Sequence, residues 1–275
     1  FYLDHDIPTA PFQLVAGKQE ITTAIAEGGI RYPFVQKLRK GGYDGRGVAV
    51  IDSAEDVNDL MEGPSVIEEK VDIDKEIAVI VARNARGEVR CFPAVEMVFD
   101  SRANLVEKLI CPSAISNELQ REAENISTPL VESMKMTGIL AVELFVDKAG
   151  KLLVNEVAPR PHNSGHHTIE SVITSEFEQH LRAILNLPLG STHLKMPAVM
   201  LNILGEPGYE GNVKYEGLTE SMSIEGVKIH VYGKVQTRPM RKMGHVTIMS
   251  EKLQDAIEKA EQVKQLIKVK SWKTA

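Results

Sequence analysis

The sequence predicts an α+β fold, and three features of the chain support this prediction. Short apolar runs of strand length recur through residues 33–98 and again through 197–249, where glycines separate them. Two further runs flank the turn Asp147-Lys148-Ala149-Gly150, which is typical of a hairpin over 138–157. Helical spacing of apolar residues is confined to a few segments.

The first third of the chain predicts one helix followed by strands. Residues 18–27 have helical spacing and stop at Gly28-Gly29, a common C-terminal signal. Asp52-Ser53 can cap a short helix that runs through Met61. Strands are predicted at 33–38, 48–51, 66–71, 76–83 and 89–98.

Three longer helices are predicted in the remainder of the chain. The first covers 116–136, and the second is expected to be capped by Thr174 and to end near 187–190. One face of the second helix carries the apolar residues Phe177, Leu181, Ile184 and Leu185. The last helix has an apolar stripe that we expect to be buried, made of Leu253, Ala256, Ile257, Ala260, Val263 and Ile267.

Composition places the chain among globular proteins and argues against two kinds of partner. The 275 residues are 43% hydrophobic and 25% charged, enough for one large domain or two to three small ones. A net charge of -6 disfavours non-specific nucleic-acid binding. No apolar run approaches the ~20 residues of a membrane span, and no secretory signal is visible. Cys91 and Cys111 lack metal-ligand spacing, so we expect packed thiols in a reducing cytoplasm.

Two glutamates in the hairpin form the first candidate site. If Asp147 pairs with Gly150, the side chains of Glu143 and Glu156 emerge on the same face, with Cα atoms roughly 7–8 Å apart. Two like charges on an apolar surface repel unless a cation joins them. Mg²⁺ takes one or two carboxylates together with substrate phosphates, so a metal site is favoured. The alternative is a pair of glutamates that face water from an amphipathic sheet.

A glycine-rich segment at 41–47, Gly-Gly-Tyr-Asp-Gly-Arg-Gly, forms the second candidate site. It joins two predicted strands, which excludes a Walker A loop, since that loop leads into a helix. Its glycines allow backbone amides to close around phosphate oxygens. Lys37 on the preceding strand could add a positive charge. The alternative is a flexible hairpin tip.

The third candidate site is the segment 155–167, which directly follows a predicted strand. It contains a carboxylate, a carboxamide, a guanidinium and three of the eight histidines, while two prolines and a glycine prevent a regular helix. A solvated polar loop is the alternative. Zinc is disfavoured because His162, His166 and His167 have no evident fourth ligand, so hydrogen bonding is the simpler role for His166 and His167. For His245, substrate contact and strand capping both stay open.

In combination, these motifs resemble the ATP-grasp superfamily: a strand lysine, a glycine segment, Glu-Glu-Lys-Val at 68–71, and a Glu…Asn-Glu hairpin. The segment 41–47, together with Asn-Glu-Val-Ala-Pro-Arg-Pro-His-Asn-Ser-Gly-His at 155–166, is similar to the N5-carboxyaminoimidazole ribonucleotide synthases. These are ATP-dependent carboxylases of purine biosynthesis. The resemblance continues through 234–245 and covers nearly the whole chain.

The resemblance implies an ATP-grasp fold of two α+β subdomains that grip ATP, followed by a small β-rich domain. Its expected parts are a remnant or linker at 1–17, a small subdomain at 18–72, a large subdomain at 73–192, and a C-terminal domain with a closing helix at 193–275. The family carries a further N-terminal α/β domain, so we expect a preceding segment to be missing, which puts the activity of the isolated chain in doubt. A homodimer is also implied.

The resemblance further assigns roles to individual residues. ATP would be bound by Lys37, Gly41, Gly42, Gly45 and Gly47, with adenine at Glu68, Glu69, Lys70 and Val71 and the ribose at Glu76. Mg²⁺ would be held by Glu143 and Glu156. The ribonucleotide would contact Tyr43, Asp44, Arg46, Lys234 and Arg241. Catalytic roles fall to Asp44, which positions or deprotonates the amine, and to a group near the bicarbonate-derived carboxylate, Arg160, His162 and Asn163.

The implied activity is the carboxylation of 5-aminoimidazole ribonucleotide with ATP and bicarbonate, through carboxyphosphate. Phosphoryl transfer depends mainly on positioning and charge neutralisation, which these residue types supply. Carboxyphosphate hydrolyses quickly, so a closing glycine segment would also exclude water. Two alternatives stay open: another ATP-grasp ligase, such as a formate-dependent transformylase or a biotin carboxylase relative, and an inactive nucleotide-binding or dimerisation fragment.

Overall fold

The computed structural model describes the chain over residues 1–42, 46–100 and 105–272. Three residues with predicted roles, Tyr43, Asp44 and Gly45, lie outside these ranges. Two compact units are present: Phe1–Asp74 with Phe145–Asn155, and Lys75–Leu144 with Glu156–Ala275. No described helix is long and apolar enough to cross a membrane.

The first unit combines an antiparallel sheet with one α-helix. Its described elements are β1 (Phe12–Val15), α1 (Lys18–Ala26), β2 (Phe34–Leu38), β3 (Val48–Ile51) and β4 (Ser65–Glu69). The strands stand in the order β1-β4-β2-β3. The core between sheet and helix includes Ile21, Phe34, Ile51 and Ile67. The helix and strands predicted for this region are confirmed.

The predicted short helix after Ser53 is a 3-10 helix at Ala54–Asp59. The Ser53 hydroxyl accepts a hydrogen bond from the Glu55 N–H at 3.2 Å, and the Asp56 carboxylate accepts one from the Ser53 N–H at 2.8 Å. This reciprocal arrangement is a capping box, so the predicted cap at Ser53 is confirmed.

The rest of the chain builds a long sheet and a small one. Their described strands are β5 (Ile73–Arg83), β6 (Val89–Cys91), β7 (Val95–Asp100), β8 (Leu105–Cys111), β9 (Gly138–Asp147), β10 (Leu152–Ala158), β11 (Ala198–Leu204), β12 (Gly211–Glu216), β13 (Val227–Val231), β14 (Gln236–Thr237), β15 (Lys242–Met249) and β16 (Lys268–Ser271). The long sheet has the order β10-β9-β5-β7-β8-β11-β15-β13, with β6 paired to β5, and the small sheet has the order β14-β12-β16. Strands from the end of the chain therefore extend the sheet that begins with the predicted hairpin.

Helices pack against this sheet. The described helices of this part of the chain are α2 (Asn117–Ser133), α3 (Thr168–Ser171), α4 (Glu176–Ile184), α5 (Leu218–Met222) and α6 (Leu253–Leu266). The predicted stripe of α6 is confirmed, because Ala256, Ala260 and Val263 are buried against an apolar cluster from β11 and β15. The mixture of helices and strands confirms the α+β prediction.

One predicted strand, 89–98, is wrong as a continuous element. The structure contains β6 and β7 instead, separated by residues 92–94. Pro93 in this gap has no N–H to donate to a neighbouring strand, which is why proline interrupts a ladder. The break lets β6 and β7 each pair with a different part of β5.

The prediction for α4 is also corrected in two respects. Ser175, and not Thr174, caps the helix, since its hydroxyl accepts a hydrogen bond from the Glu178 N–H at 3.2 Å. The buried side of α4 is formed by Glu176, Gln179 and Ala183. The apolar face that the sequence predicts, which we call the α4 stripe, is exposed: Phe177 39%, Leu181 55%, Ile184 48% and Leu185 64%.

Both cysteines are free thiols, Cys111 buried and Cys91 partly buried. Burial raises the pKa of Cys91 to about 11 and the pKa of Cys111 to about 12. Thiols with such pKa values stay protonated and are poor nucleophiles and poor metal ligands. The prediction that both are packed side chains is therefore confirmed.

Candidate active site

Lys37 lies on β2 of the first unit, and two partners fix its ammonium group. Its Nζ lies 2.8 Å from Glu68 Oε2 and donates a hydrogen bond to Asn155 Oδ1 at 2.7 Å. Glu68 lies on β4 opposite Val35, two residues before Lys37, so the two charged side chains share one face of the sheet. The sequence predicts Lys37 as a phosphate ligand, but the partnership with Glu68 and Asn155 is new.

The described ends of the glycine segment approach each other closely. Leu38 N–H donates to Gly47 O at 2.8 Å, and a Cβ added at Gly47 would lie 3.1 Å from Gly42 Cα. Gly41 and Gly47 have φ values of +79° and +80°, which L side chains rarely adopt. Glycine at these two positions is therefore required by the backbone.

The segment 68–71, predicted to contact adenine, is the end of β4 and the residues that follow. The Glu69 N–H donates to Pro11 O at 2.9 Å, and the Lys70 ammonium lies 2.6 Å from Asp52 Oδ1 on the surface. The Lys70 N–H also donates to Pro33 O at 3.5 Å. The backbone N–H groups of Glu69 and Lys70 are therefore both hydrogen-bonded within the protein. Glu76, the predicted ribose ligand, follows on β5 and is partly buried.

The hairpin between β9 and β10 is confirmed, but its turn differs from the prediction. The Gly150 N–H donates to Asp147 O at 2.8 Å, whereas the Asp147 N–H donates to Lys151 O at 3.0 Å. Gly150 has a φ of +80°, which is typical of a type I turn followed by a G1 bulge. Lys151 therefore takes the place opposite Asp147, and the expected one-face arrangement of Glu143 and Glu156 no longer follows from the turn.

Glu143 on β9 is partly buried, and His162 contacts its carboxylate. His162 Nε2 lies 3.3 Å from Glu143 Oε1, and the two side chains are 15% and 12% exposed. The Ser164 N–H donates to His162 Nδ1 at 3.3 Å, so Nδ1 is the acceptor of the ring. A neutral imidazole with Nδ1 as acceptor carries its proton on Nε2, which then donates to Glu143. Glu156 on β10 is exposed.

The segment after β10 is held by polar contacts. Asn163 and Asn202 on β11 exchange two amide hydrogen bonds, of 2.9 and 3.1 Å. His166 Nδ1 lies 2.8 Å from Glu176 Oε1, and His167 Nδ1 lies 2.8 Å from Ser171 Oγ. Hydrogen bonding by His166 and His167 is therefore confirmed.

Arg160, predicted to act near the carboxylate, is exposed, and its Nη1 donates to Pro161 O at 3.1 Å. The guanidinium has further N–H groups beyond this backbone contact. In contrast to the anchored Asn163, Arg160 is thus presented towards solvent.

Histidines also cluster on the neighbouring strands. The His245 and His230 rings are stacked with centroids 4.4 Å apart, and Tyr232 Oη lies 3.0 Å from His245 Nδ1. His245 lies inside β15 opposite both Asn202 and His230, so the idea that it caps a strand is wrong. Burial, with the neighbouring His166 and His230, lowers the pKa of His245 to about 3. Within the described residues, no group of three His, Cys, Asp or Glu side chains could hold a metal ion.

The two cations predicted to bind the ribonucleotide phosphate lie near the start of β15. Lys234 Nζ donates to Lys242 O at 2.5 Å and lies 5.7 Å from the centre of the Tyr232 ring. Arg241 Nη1 donates to Gln236 O at 2.8 Å. An ammonium has three N–H donors and a guanidinium five, which is the donor chemistry that a phosphate group accepts.

Comparison with known proteins identifies the family. The model of the ATP-grasp domain matches residues 1–177, and that of the phosphoribosylaminoimidazole carboxylase C-terminal domain matches residues 198–259. The N5-carboxyaminoimidazole ribonucleotide synthase of Aquifex aeolicus is 37% identical over 98% of this chain and 71% of its own length. The chain belongs to the N5-carboxyaminoimidazole ribonucleotide synthase family. It therefore has the ATP-grasp fold, as the resemblance implied.

Further relatives show how much of a family member this chain spans. The Bacillus subtilis synthase is 38% identical over 246 residues, which are 88% of this chain and 62% of that protein. The Thermotoga maritima synthetase structure has a TM-score of 0.89 at 45% identity and is covered over 70% of its length. An Aspergillus clavatus synthase, in complex with ADP and 5-aminoimidazole ribonucleotide, has a TM-score of 0.85 at 27% identity.

In this member of the synthase family, the sequence assigned no role to Asn155, Asn202 and Glu176, and it assigned Glu68 to adenine without its contact to Lys37. Glu68 and Asn155 were known as parts of motifs but not as partners of Lys37. Asn202 had a signal, since it is the only polar residue of the run Ala-Val-Met-Leu-Asn-Ile-Leu at 198–204. Glu176 had none, because an acidic first residue is common in helices.

Proposed function

We propose that the protein catalyses the ATP- and bicarbonate-dependent carboxylation of 5-aminoimidazole ribonucleotide to the N5-carboxyamino product, in purine biosynthesis. The observation that carries the proposal is the contact of His162 with Glu143 in a chain of this family. This contact joins the hairpin glutamate that is predicted to bind the metal to the segment 155–167 that is predicted to act in carboxylation. The Aspergillus clavatus complex with ADP and 5-aminoimidazole ribonucleotide supports the same pair of ligands.

ATP binding is assigned to the first unit and to the start of β5. Among the described residues Lys37 contacts Glu68 and Asn155, and its ammonium has three N–H donors, so we assign the third to a phosphate oxygen. The amides of the glycine segment, Gly41 to Gly47, would surround the phosphates. The carbonyls of residues 68–71 and the Val71 amide would bind adenine, with Glu76 on the ribose hydroxyls.

Mg²⁺ is assigned to the carboxylates of Glu143 and Glu156. The donor set fits, because Mg²⁺ prefers oxygen ligands and uses few carboxylates when phosphates complete its shell. The N–H of His162 holds Oε1 of Glu143, which orients the carboxylate. When bound, the ion would neutralise charge on the phosphates of ATP.

Carboxylation is assigned to the segment that follows β10 and to the residues near the start of β15. An oxygen of bicarbonate attacks the γ-phosphorus, the bond to ADP breaks, and carboxyphosphate forms. Arg160 can hold the planar bicarbonate anion by paired hydrogen bonds. The amine of the ribonucleotide then takes the carboxyl carbon and loses a proton, while phosphate leaves. Asp44, with Tyr43 and Arg46, would orient the amine, and Lys234 and Arg241 would bind the ribonucleotide phosphate.

The proposal is tested by measuring phosphate release from ATP by the intact protein. Release should require both 5-aminoimidazole ribonucleotide and bicarbonate. If formate replaces bicarbonate, or biotin replaces the ribonucleotide, with full activity, another ATP-grasp ligase is the answer. If no combination supports release, the chain is an inactive binding fragment.

We also propose a homodimer, with the α4 stripe as part of its interface. Four large apolar side chains on one helix face are exposed, and such patches commonly mark a protein interface. We expect Leu181→Asp to convert dimers to monomers in sedimentation velocity. Met222→Asp, at a more exposed apolar side chain on α5, should leave the dimer unchanged. A monomeric unmodified protein, or a dimeric Leu181→Asp variant, would contradict the proposal.

Two broader expectations stay predictions. The division into parts at 1–17, 18–72, 73–192 and 193–275 follows from the resemblance. A cytoplasmic location is supported by the two free thiols, since thiols persist in a reducing compartment.

A further inference from the structure

Glu176, the first residue of α4, has a completely buried carboxylate with two specific partners. Its side chain is 0% exposed. Oε2 accepts a hydrogen bond from the His162 N–H at 2.9 Å, and Oε1 lies 2.8 Å from His166 Nδ1. A buried charge is unfavourable unless it is paired, and here a backbone amide, an imidazole and the helix N-terminus all face it.

The residues around this carboxylate are packed closely against it. A Cβ added at Gly165 would lie 2.4 Å from Glu176 Oε2. Thr168 Oγ1 accepts a hydrogen bond from the Glu176 N–H at 2.8 Å and donates one to Gly165 O at 2.5 Å. The turn at Asn163–Gly165 is therefore packed directly onto the carboxylate, and any side chain at position 165 would separate them.

The contact with the His162 N–H connects Glu176 to the candidate metal ligand. Glu176 fixes the backbone of His162, and the Ser164 N–H fixes the ring through Nδ1. With backbone and ring both fixed, His162 Nε2 reaches Glu143 Oε1 at 3.3 Å. Glu176 thus acts on the Glu143 carboxylate through His162.

We propose that Glu176 is a positioning residue for the carboxylation: its carboxylate holds the segment 162–166 so that His162 orients Glu143. The inference rests on the proposed function, because it assigns Glu143 to the reaction. Glu176 lies outside the sequence motifs to which the resemblance assigned roles. A role limited to stability is the competing explanation, and it would leave the His162 ring and turnover unaffected once the variant is folded.

The test compares Glu176→Ala with Glu176→Gln and with the control Glu178→Ala in the intact protein. Glu178 lies on the same helix with a 52% exposed side chain, paired only with Arg182 in the contacts described for it. We expect Glu176→Ala to lower kcat on the order of 100-fold, since small misplacements of catalytic groups have effects of this size. Glu176→Gln should recover most of kcat, because its amide oxygen can still accept the His162 N–H. The control should match the unmodified protein.

Nuclear magnetic resonance of ¹⁵N-labelled histidine supplies the second readout. In Glu176→Ala, the ring signals of His162 and His166 should both move. In Glu176→Gln, only the His166 signal should move, because an amide NH₂ donates to Nδ1 where the carboxylate accepted from it. If Glu176→Ala folds and keeps both kcat and the His162 signal, the proposal is overturned.

The two proposals fail in different ways. If the unmodified protein releases no phosphate with any substrate, the proposed function fails, and the His162 signal decides the positioning role. If the unmodified protein is active and Glu176→Ala is equally active, the function stands and the positioning role fails. If Glu176→Ala does not fold, Glu176→Asp decides, because its shorter side chain withdraws the carboxylate from the His162 N–H. The positioning role predicts a lower kcat and a moved His162 signal in Glu176→Asp, and unchanged values of both would overturn the proposal.

Discussion

Glu143→Ala should lower phosphate release by about 100- to 1000-fold, the range found when one preorganised electrostatic group is removed from an active site. The variant loses a proposed Mg²⁺ ligand and also leaves the His162 Nε2 proton without its acceptor. The measurement is the initial rate of phosphate release at saturating ATP, ribonucleotide and bicarbonate, repeated at rising Mg²⁺. A rise in the Mg²⁺ concentration needed for half-maximal rate would identify Glu143 as a ligand of the metal.

Glu96→Ala is the matched control for this variant. Glu96 lies on β7 in the same sheet, its side chain is 17% exposed, and it forms an ion pair with Lys75 at 3.0 Å. It is therefore a similarly buried glutamate without an assigned role, and its loss should leave turnover unchanged. Equal activity of Glu143→Ala and Glu96→Ala would contradict the metal assignment.

Glu156→Ala tests the second carboxylate separately. The observed turn at Gly150 removes the simple register argument for a shared face, so Glu143 can bind Mg²⁺ with or without Glu156. A loss as large as that of Glu143→Ala supports the pair, and full activity excludes Glu156 as a ligand.

Lys37→Gln is the second change with a large expected effect. It should raise the KM for ATP and lower kcat, and together these changes should lower kcat/KM on the order of 100-fold. The reason is that the variant loses the positive charge that Lys37 would place beside the ATP phosphates. Glutamine can still donate to Asn155 Oδ1, but the Glu68 carboxylate, with a 16% exposed side chain, loses its cation. Thermal unfolding of the variant separates this loss of stability from the loss of nucleotide binding.

Lys148→Gln provides the control for Lys37→Gln. Lys148 belongs to the same unit and pairs with Asp72 at 3.1 Å, but both side chains are largely exposed, at 65% and 76%. Exposed ion pairs contribute little to stability, so this variant should match the unmodified protein in kcat/KM and in Tm. An unchanged KM for ATP in Lys37→Gln would exclude Lys37 from phosphate binding.

The sequence was sufficient for the elements whose signals are local. Gly28 ends α1, Ser53 caps a 3-10 helix, and the apolar stripe of α6 is buried, each from residues within a turn or two of each other. The long motifs at 41–47 and 155–166 also identified the family. These are patterns that neighbouring residues along the chain specify by themselves.

The features that were missed depend on residues far apart in the chain. Lys37 contacts Glu68 because of the register of β2 against β4. It contacts Asn155 because Phe145–Asn155, the tip of the hairpin, belongs to the same compact unit as β2. The hairpin register itself changed by one residue because Gly150 forms a bulge. For α4, hydrophobic spacing marked the apolar face correctly but could not tell whether that face meets the core or solvent.

The most direct test of the proposed chemistry follows the oxygen atoms of bicarbonate. If carboxyphosphate is formed, ¹⁸O-labelled bicarbonate transfers one labelled oxygen to each phosphate released, because that oxygen joins the γ-phosphorus and remains there when the carboxyl carbon leaves. We predict one ¹⁸O per phosphate, in equal amount to the carboxylated ribonucleotide formed. Release of phosphate without label, or labelled phosphate without ribonucleotide consumption, would contradict the proposed carboxylation.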